Sequence, residues 1–234
     1  MMDYLYLLFL LTFVMTLIVQ IKVSSTFNKF DHFRAGSGKT GAQVARRILD
    51  AHGLFDVRIE RVHGHLTDHY DPRSRVLRLS ESVYDNASPS AVGVAAHEVG
   101  HAIQHSEGYA PVEWRTKLIP TVNFASRFSW LAIMLGIIVT YASGLSIVGN
   151  YILAIGIGLF ATTTAFHLVT LPCEFNASRR ALTELELCGW YSNQELGMSR
   201  KVLSAAAMTY VAALAMSFIQ LLRLLSLLGN NRRD

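Results

Sequence analysis

Four apolar runs alternate with polar segments along this chain, and the lengths of the runs decide what they can be. Tyr4–Ile21, YLYLLFLLTFVMTLIVQI, is almost uncharged and close to the roughly 20 residues a helix needs to cross a bilayer. The chain starts MMDY and the run leads into KVSSTF, without the basic start and small-residue cleavage site of a secretory signal, so it predicts an uncleaved anchor. Phe128–Tyr141 and Ile147–Leu171, separated by the charge-free link ASGLS, predict a helical hairpin in the membrane, the first run continuing to about Leu145. Ser204–Leu222 is the last run, and Arg223 at its end is placed to snorkel to an interface.

The polar segments carry shorter periodicities. Thr40 and Gln43 form a T-x-x-Q capping box, and Val44, Ala45, Ile48 and Leu49 give the apolar stripe of a helix ending near Gly53. VRIERV and VLRLS alternate as strands do, with DPRS at Asp71–Ser74 as a turn, which predicts a small β-hairpin region. SPSAVGVAAHEVGHAIQHSEG has the marks of one helix: Ser88 as cap, Pro89 in the first turn and Gly108 as stop. No internal repeat or low-complexity segment is visible.

Composition agrees with a membrane location. The 234 residues are 51% hydrophobic and 16% charged, against about 25% charged in an ordinary soluble domain, and the mean hydropathy is +0.31. The net charge of +4 does not point to nucleic acid, because the basic residues adjoin apolar runs and are not interleaved with aromatics. They act instead as topology signals. Residues 22–127 hold 14 of the 21 lysines and arginines, and the second polar segment holds Arg179, Arg180, Arg200 and Lys201. Both polar segments are therefore expected to face the cytoplasm, with the N-terminus outside. Four full spans would put Arg232 and Arg233 outside as well, against the rule; either the last run does not fully cross or the tail is an exception. Cys173 and Cys188 form neither a CxxC pair nor a framework, which fits a reducing compartment.

The candidate chemistry lies in HEVGH. His97 and His101 are four residues apart on one helix, so both imidazoles can reach one ion, and Glu98 stands where a carboxylate can take a proton from water. Imidazole nitrogens suit zinc, whose catalytic sites use three protein ligands and keep one position open. A surface histidine pair is the bland alternative, but Gly100 and the small residues before the motif suit a packed helix. His105 repeats the spacing, yet a helix rises about 6 Å over four residues, which favours a supporting or surface role. Gln104 occupies the glycine position of the longer HExxHxxGxxH pattern, which therefore does not apply. The third ligand is expected at Glu174, which the hairpin returns to the same side of the membrane; an interfacial anion beside Arg179 and Arg180 is the alternative. Pro172 is expected to precede a helix on which Glu174 and Ser178 share a face. His63, His65 and His69 fit no standard ligand spacing and are expected to be solvated or substrate-facing.

GSGKTG at Gly36–Gly41 resembles the end of a phosphate-binding loop, but Phe33 stands where the first glycine belongs and STFNKFDHF before it is no buried strand. No nucleotide is expected; the glycines mark the entry from the anchor to the next domain.

HEVGHAIQH, preceded by GHLTDHYDPRSRVLRLS and followed by LPCEFNASRRAL, resembles the YugP-type neutral zinc metallopeptidases of bacterial membranes. More distantly it looks like membrane gluzincins of the heat-shock and prenyl-protein endoprotease type, which have a downstream ExxxD; here Ser178 stands in place of that Asp. The resemblance implies one zinc ion held by His97, His101 and Glu174, with Glu98 as general base and acid. It implies a mainly helical α+β, membrane-anchored gluzincin-like protease acting on peptide or protein substrates near the bilayer, and three to four membrane-associated helices. An extended substrate would add to a strand near Leu66–Tyr70 or Val76–Ser80, or else that hairpin is only structural. His167, Asn176 and Arg179 are the candidates for oxyanion donor. The expected organisation is an anchor (1–23), a membrane-surface catalytic region (24–127), a transmembrane hairpin (128–171), a third-ligand segment (172–203), and a final helix with its tail (204–234). A zinc-containing membrane scaffold with lost proteolysis is the competing function, and an intact Glu98 argues against it.

Overall fold

The computed structural model describes residues 2–142 and 145–230. Ser143 and Gly144 of the predicted link, and the tail arginines Arg232 and Arg233, lie outside the described residues. The chain is mainly helical with one small sheet. In order it forms α1 (Met2–Asp31), α2 (Gly41–Ala51), β1 (Arg58–Val62), β2 (His69–Asp71), β3 (Val76–Ser80), α3 (Glu81–Tyr84), α4 (Pro89–Ser106), α5 (Ala110–Ala142), α6 (Ser146–Leu187) and α7 (Asn193–Asn230). Helices α1, α5, α6 and α7 are long and apolar enough to cross a membrane, by length and composition.

Two compact units share these helices. The first takes Met1–Ile18, Trp114–Leu171 and Tyr210–Asp234. Its α5 and α6 cross at glycines: a Cβ on Gly136 would meet the Leu153 backbone at 2.6 Å, and one on Gly156 would meet Ile133 at 2.7 Å. Small residues permit such approach where lipid offers no hydrophobic drive for association. A buried hydroxyl pair, Thr164 Oγ1 and Ser217 Oγ at 2.7 Å, links α6 to α7.

The second unit, Val19–Glu113 with Pro172–Thr209, holds the larger core. Val44, Ala45, Ile48 and Leu49 of α2 bury the predicted stripe against α4, in a core that also holds Ala95 and Val99 of α4 and Leu77 and Leu79 of β3. The Thr40–Gln43 capping box is formed in both directions, and Gly53 closes the helix at φ +70°. Ser88 accepts the Ala91 N–H at the start of α4, Pro89 takes the first turn, and Gly108 follows at φ +63°.

The strands differ from a simple hairpin. Their order is β1-β3-β2, with β2 antiparallel and β1 parallel to β3. The DPRS turn thus joins β2 to β3, while VRIERV and VLRLS lie side by side in the same direction. The physical reason is burial: Val76, Leu77, Leu79 and Ser80 are all buried, so β3 needs a partner on each edge, whereas β1 alternates exposed Arg58 and Arg61 with half-buried Ile59, Glu60 and Val62. β3 is thereby removed as an edge for an added strand, and β2 keeps a free one. Helix α6 also departs from expectation, since Pro172 lies inside it and does not precede a new helix. A proline removes one ladder hydrogen bond, a loss that long apolar helices tolerate when neighbouring groups satisfy the freed carbonyl.

Candidate metal centre

Helix α4 supplies two imidazoles and α6 a carboxylate, and a glycine lets the two helices meet. A Cβ on Gly100 would lie 2.7 Å from the Ala177 carbonyl oxygen and 3.2 Å from its Cα. Only a bare backbone fits there, and this contact sets Glu174 and Ser178, three residues before and one after Ala177, over the face that carries His97 and His101.

The result is a tight group. His97 Nε2 lies 3.2 Å and His101 Nε2 3.5 Å from one oxygen, Glu174 Oε2. The three ligand-type atoms fall within 4.8 Å of one another, and among the described residues no other group of three His, Cys, Asp or Glu does so. Zinc–nitrogen bonds of about 2.0–2.1 Å at tetrahedral angles put neighbouring ligand atoms roughly 3.3–3.4 Å apart. The donor set and the spacing therefore both fit zinc. Glu174 is 1% exposed, and a carboxylate is buried at high cost unless it meets cationic or polar partners. The two imidazoles keep 14% and 11% of their side-chain surface, so the centre is not sealed.

The far side of each ring is engaged as well. Ser178 Oγ lies 3.2 Å from His97 Nδ1. Gln104 Oε1 lies 3.0 Å from His101 Nδ1, and Gln104 Nε2 donates to the Cys173 carbonyl at 2.8 Å and to Asn176 Oδ1 at 2.9 Å. In the sequence Gln104 marks only a break in a longer motif. Its position three residues after His101 on the same helix was the available signal.

Glu98, beside the group on α4, accepts the Tyr70 backbone N–H at 3.1 Å on Oε2. That donor sits in β2, so the N–H points away from β3 and toward the helix. Asp68, just before β2, accepts the Ser80 N–H at 2.7 Å and the Ser80 hydroxyl at 2.9 Å. Burial pushes the Asp68 pKa above its ordinary value, the Ser80 hydrogen bonds oppose this, and the nearby Glu98 charge adds to the rise.

The remaining sequence candidates fall elsewhere. The His105 ring packs at 5.8 Å from Tyr70. His63 pairs with Glu81 at 2.9 Å, His65 meets the Phe27 ring edge, and His69 Nδ1 lies 2.9 Å from the Thr67 carbonyl. Of the oxyanion candidates, Asn176 has its Oδ1 engaged by Gln104 and by Arg180 Nε at 2.8 Å, Arg179 is exposed, and His167 belongs to the other unit. Helix α1, not a strand, precedes GSGKTG; Gly38 turns at φ +62°, Gly36 N–H donates to Glu195 at 2.6 Å, and Lys39 lies over the Trp190 ring.

The "Putative membrane protease YugP" of Bacillus subtilis (strain 168) is 49% identical over 215 residues, covering 92% of each chain. No solved structure matches the chain. The family model described as "Putative neutral zinc metallopeptidase" matches residues 5–229. With nearly its whole length matched and its three zinc-type donors gathered at one point, the chain belongs to that neutral zinc metallopeptidase family.

Proposed function

We propose that this protein is an integral membrane endopeptidase of the bacterial plasma membrane that binds one zinc ion through His97, His101 and Glu174. Its substrates are peptide bonds of membrane or membrane-proximal proteins, and its polar segments face the cytoplasm. The observation that carries the reading is the approach of both Nε2 atoms to one Glu174 oxygen at distances close to a tetrahedral edge, with Glu98 adjacent. The similarity to a protein named as a membrane protease supports the reaction class.

Zinc, when bound, supplies Lewis acidity and a water made reactive near neutral pH. The protein's own groups do the rest. Glu98 takes a proton from water and returns it to the leaving amine. An extended substrate pairs along the open edge of β2, whose outward Tyr70 N–H already holds Glu98. The same N–H orients the carboxylate, since one carboxylate oxygen is tied and the other is left to face the water.

The test is purified Glu98→Gln protein in detergent, assayed for zinc and for cleavage of an unfolded protein. The expected result is full zinc content with cleavage lost. Undiminished hydrolysis overturns the mechanism, and unchanged cellular function of the same variant would favour a zinc-containing scaffold.

A further inference from the structure

We infer that Gln104 is a positioning residue that fixes the tautomer of His101, so that His101 Nε2 presents its lone pair to the metal; this rests on the zinc reading above. The argument needs only donors and acceptors. Gln104 is wholly buried, so its amide must find partners inside the protein. One partner is the Cys173 backbone carbonyl at 2.8 Å, which can only accept. The amide nitrogen must therefore face Cys173, and the amide oxygen is the atom 3.0 Å from His101 Nδ1. An amide oxygen also only accepts, so Nδ1 carries the proton. A neutral imidazole has one N–H, and the ring lone pair is then on Nε2, the nitrogen 3.5 Å from Glu174 Oε2.

The second amide hydrogen strengthens the assignment. Gln104 Nε2 donates to Asn176 Oδ1 at 2.9 Å, and that atom is independently identified as the oxygen because Arg180 Nε, a pure donor, also meets it at 2.8 Å. Arg180 Nη2 then pairs with Glu107 at 2.7 Å, back at the C-terminal end of α4. The network leaves α4 at Gln104, crosses α6 on either side of Glu174, and returns to α4 at Glu107. It ties the helix of the imidazoles to the segment of the carboxylate. His97 differs: the Ser178 hydroxyl at its Nδ1 can donate or accept, so it supports the ring without dictating the proton's place. Gln104 is thus the group that decides where His101 carries its proton, and the position at which the longer glycine-containing motif departs acquires a purpose.

The experiment uses full-length protein in detergent, measuring zinc affinity by chelator competition and the visible spectrum of the cobalt-substituted protein. Gln104→Met keeps the volume and removes the acceptor. Zinc affinity is expected to fall ten- to a hundredfold, in the range for lost partners of metal-bound histidines, and the cobalt bands to shift. Gln104→Glu returns an acceptor to His101 Nδ1 but turns its second oxygen on two acceptors, the Cys173 carbonyl and Asn176 Oδ1, so it should recover only part of the lost affinity. Ile103→Val, at a neighbouring buried site outside the network, controls for packing loss and should leave affinity unchanged. A folded Gln104→Met protein with wild-type affinity and spectrum overturns the assignment. If Gln104→Met fails to fold, the nitrogen-15 shifts of the His101 ring in wild-type zinc protein decide: zinc held by Nδ1 with the proton on Nε2 overturns the assignment. Wild-type protein that takes up no zinc removes the zinc reading and this assignment together; zinc uptake lost in Glu174→Ala but intact in Gln104→Met removes this assignment alone.

Discussion

Ser178 Oγ lies 3.2 Å from His97 Nδ1, on the side of the ring opposite Glu174. A hydroxyl orients the ring but adds no negative charge. Ser178→Ala is expected to lower zinc affinity about tenfold, the lower end of the usual range for such partners. Ser178→Asp should match or exceed wild type. Chelator competition checks both, and an unaffected Ser178→Ala protein would separate this contact from metal binding.

Gly100→Ala sets two effects against each other. Alanine favours a helix interior by about 1 kcal/mol over glycine. Its Cβ, however, would lie 2.7 Å from the Ala177 carbonyl oxygen, and overpacking of a close helix crossing costs typically about 1–3 kcal/mol. The clash involves backbone, which cannot swing aside, so the cost should win. Thermal melting should show a lower midpoint, with reduced zinc retention because α6 carries Glu174.

Tyr70→Pro removes the N–H that holds Glu98 without removing a bond to β3, since that N–H points to the helix. A hydrogen bond to a charged group contributes about 1.5–3 kcal/mol. Hydrolysis should fall roughly ten- to a hundredfold with zinc retained. Tyr70→Ala keeps the N–H and should lose much less.

Asp68 gives a pH signature. Burial holds its folded pKa above the ordinary 3.8 despite the Ser80 hydrogen bonds, and the Glu98 charge adds to the rise. The folded state therefore keeps this proton to higher pH than the unfolded chain. The contribution of the carboxyl is fully present below 3.8 and declines as pH rises through the raised folded value. Asp68→Asn can keep an acceptor for the Ser80 N–H but does not titrate. Its stability relative to wild type should therefore improve from about pH 4 to about pH 7, measured by melting in detergent. A constant difference would contradict the sign.

Local features were legible in the sequence because their determinants are close in the chain. The Thr40–Gln43 box, the Ser88 cap with Pro89, and the glycine stops at Gly53 and Gly108 each involve residues within one or two turns. The shared face of His97 and His101 follows from a four-residue spacing alone. What escaped depends on distant partners. VRIERV runs parallel to VLRLS because β3 is buried from both edges, and alternation in one strand says nothing of its neighbour's direction. Pro172 sits inside α6 because an apolar helix can carry the lost bond, whereas local rules read it as a start. Gln104 earns its role only once α6 supplies the Cys173 carbonyl.

X-ray absorption at the zinc edge tests the central claim most directly, that two imidazoles and one carboxylate of this chain hold a single ion. The account predicts one zinc per chain with a nitrogen and oxygen shell at about 2.0–2.1 Å, imidazole scattering from two histidines, and a changed first shell in Glu174→Ala. A sulfur shell at about 2.3 Å, which would bring Cys173 or Cys188 to the metal, or a spectrum unaltered by loss of Glu174, would contradict it.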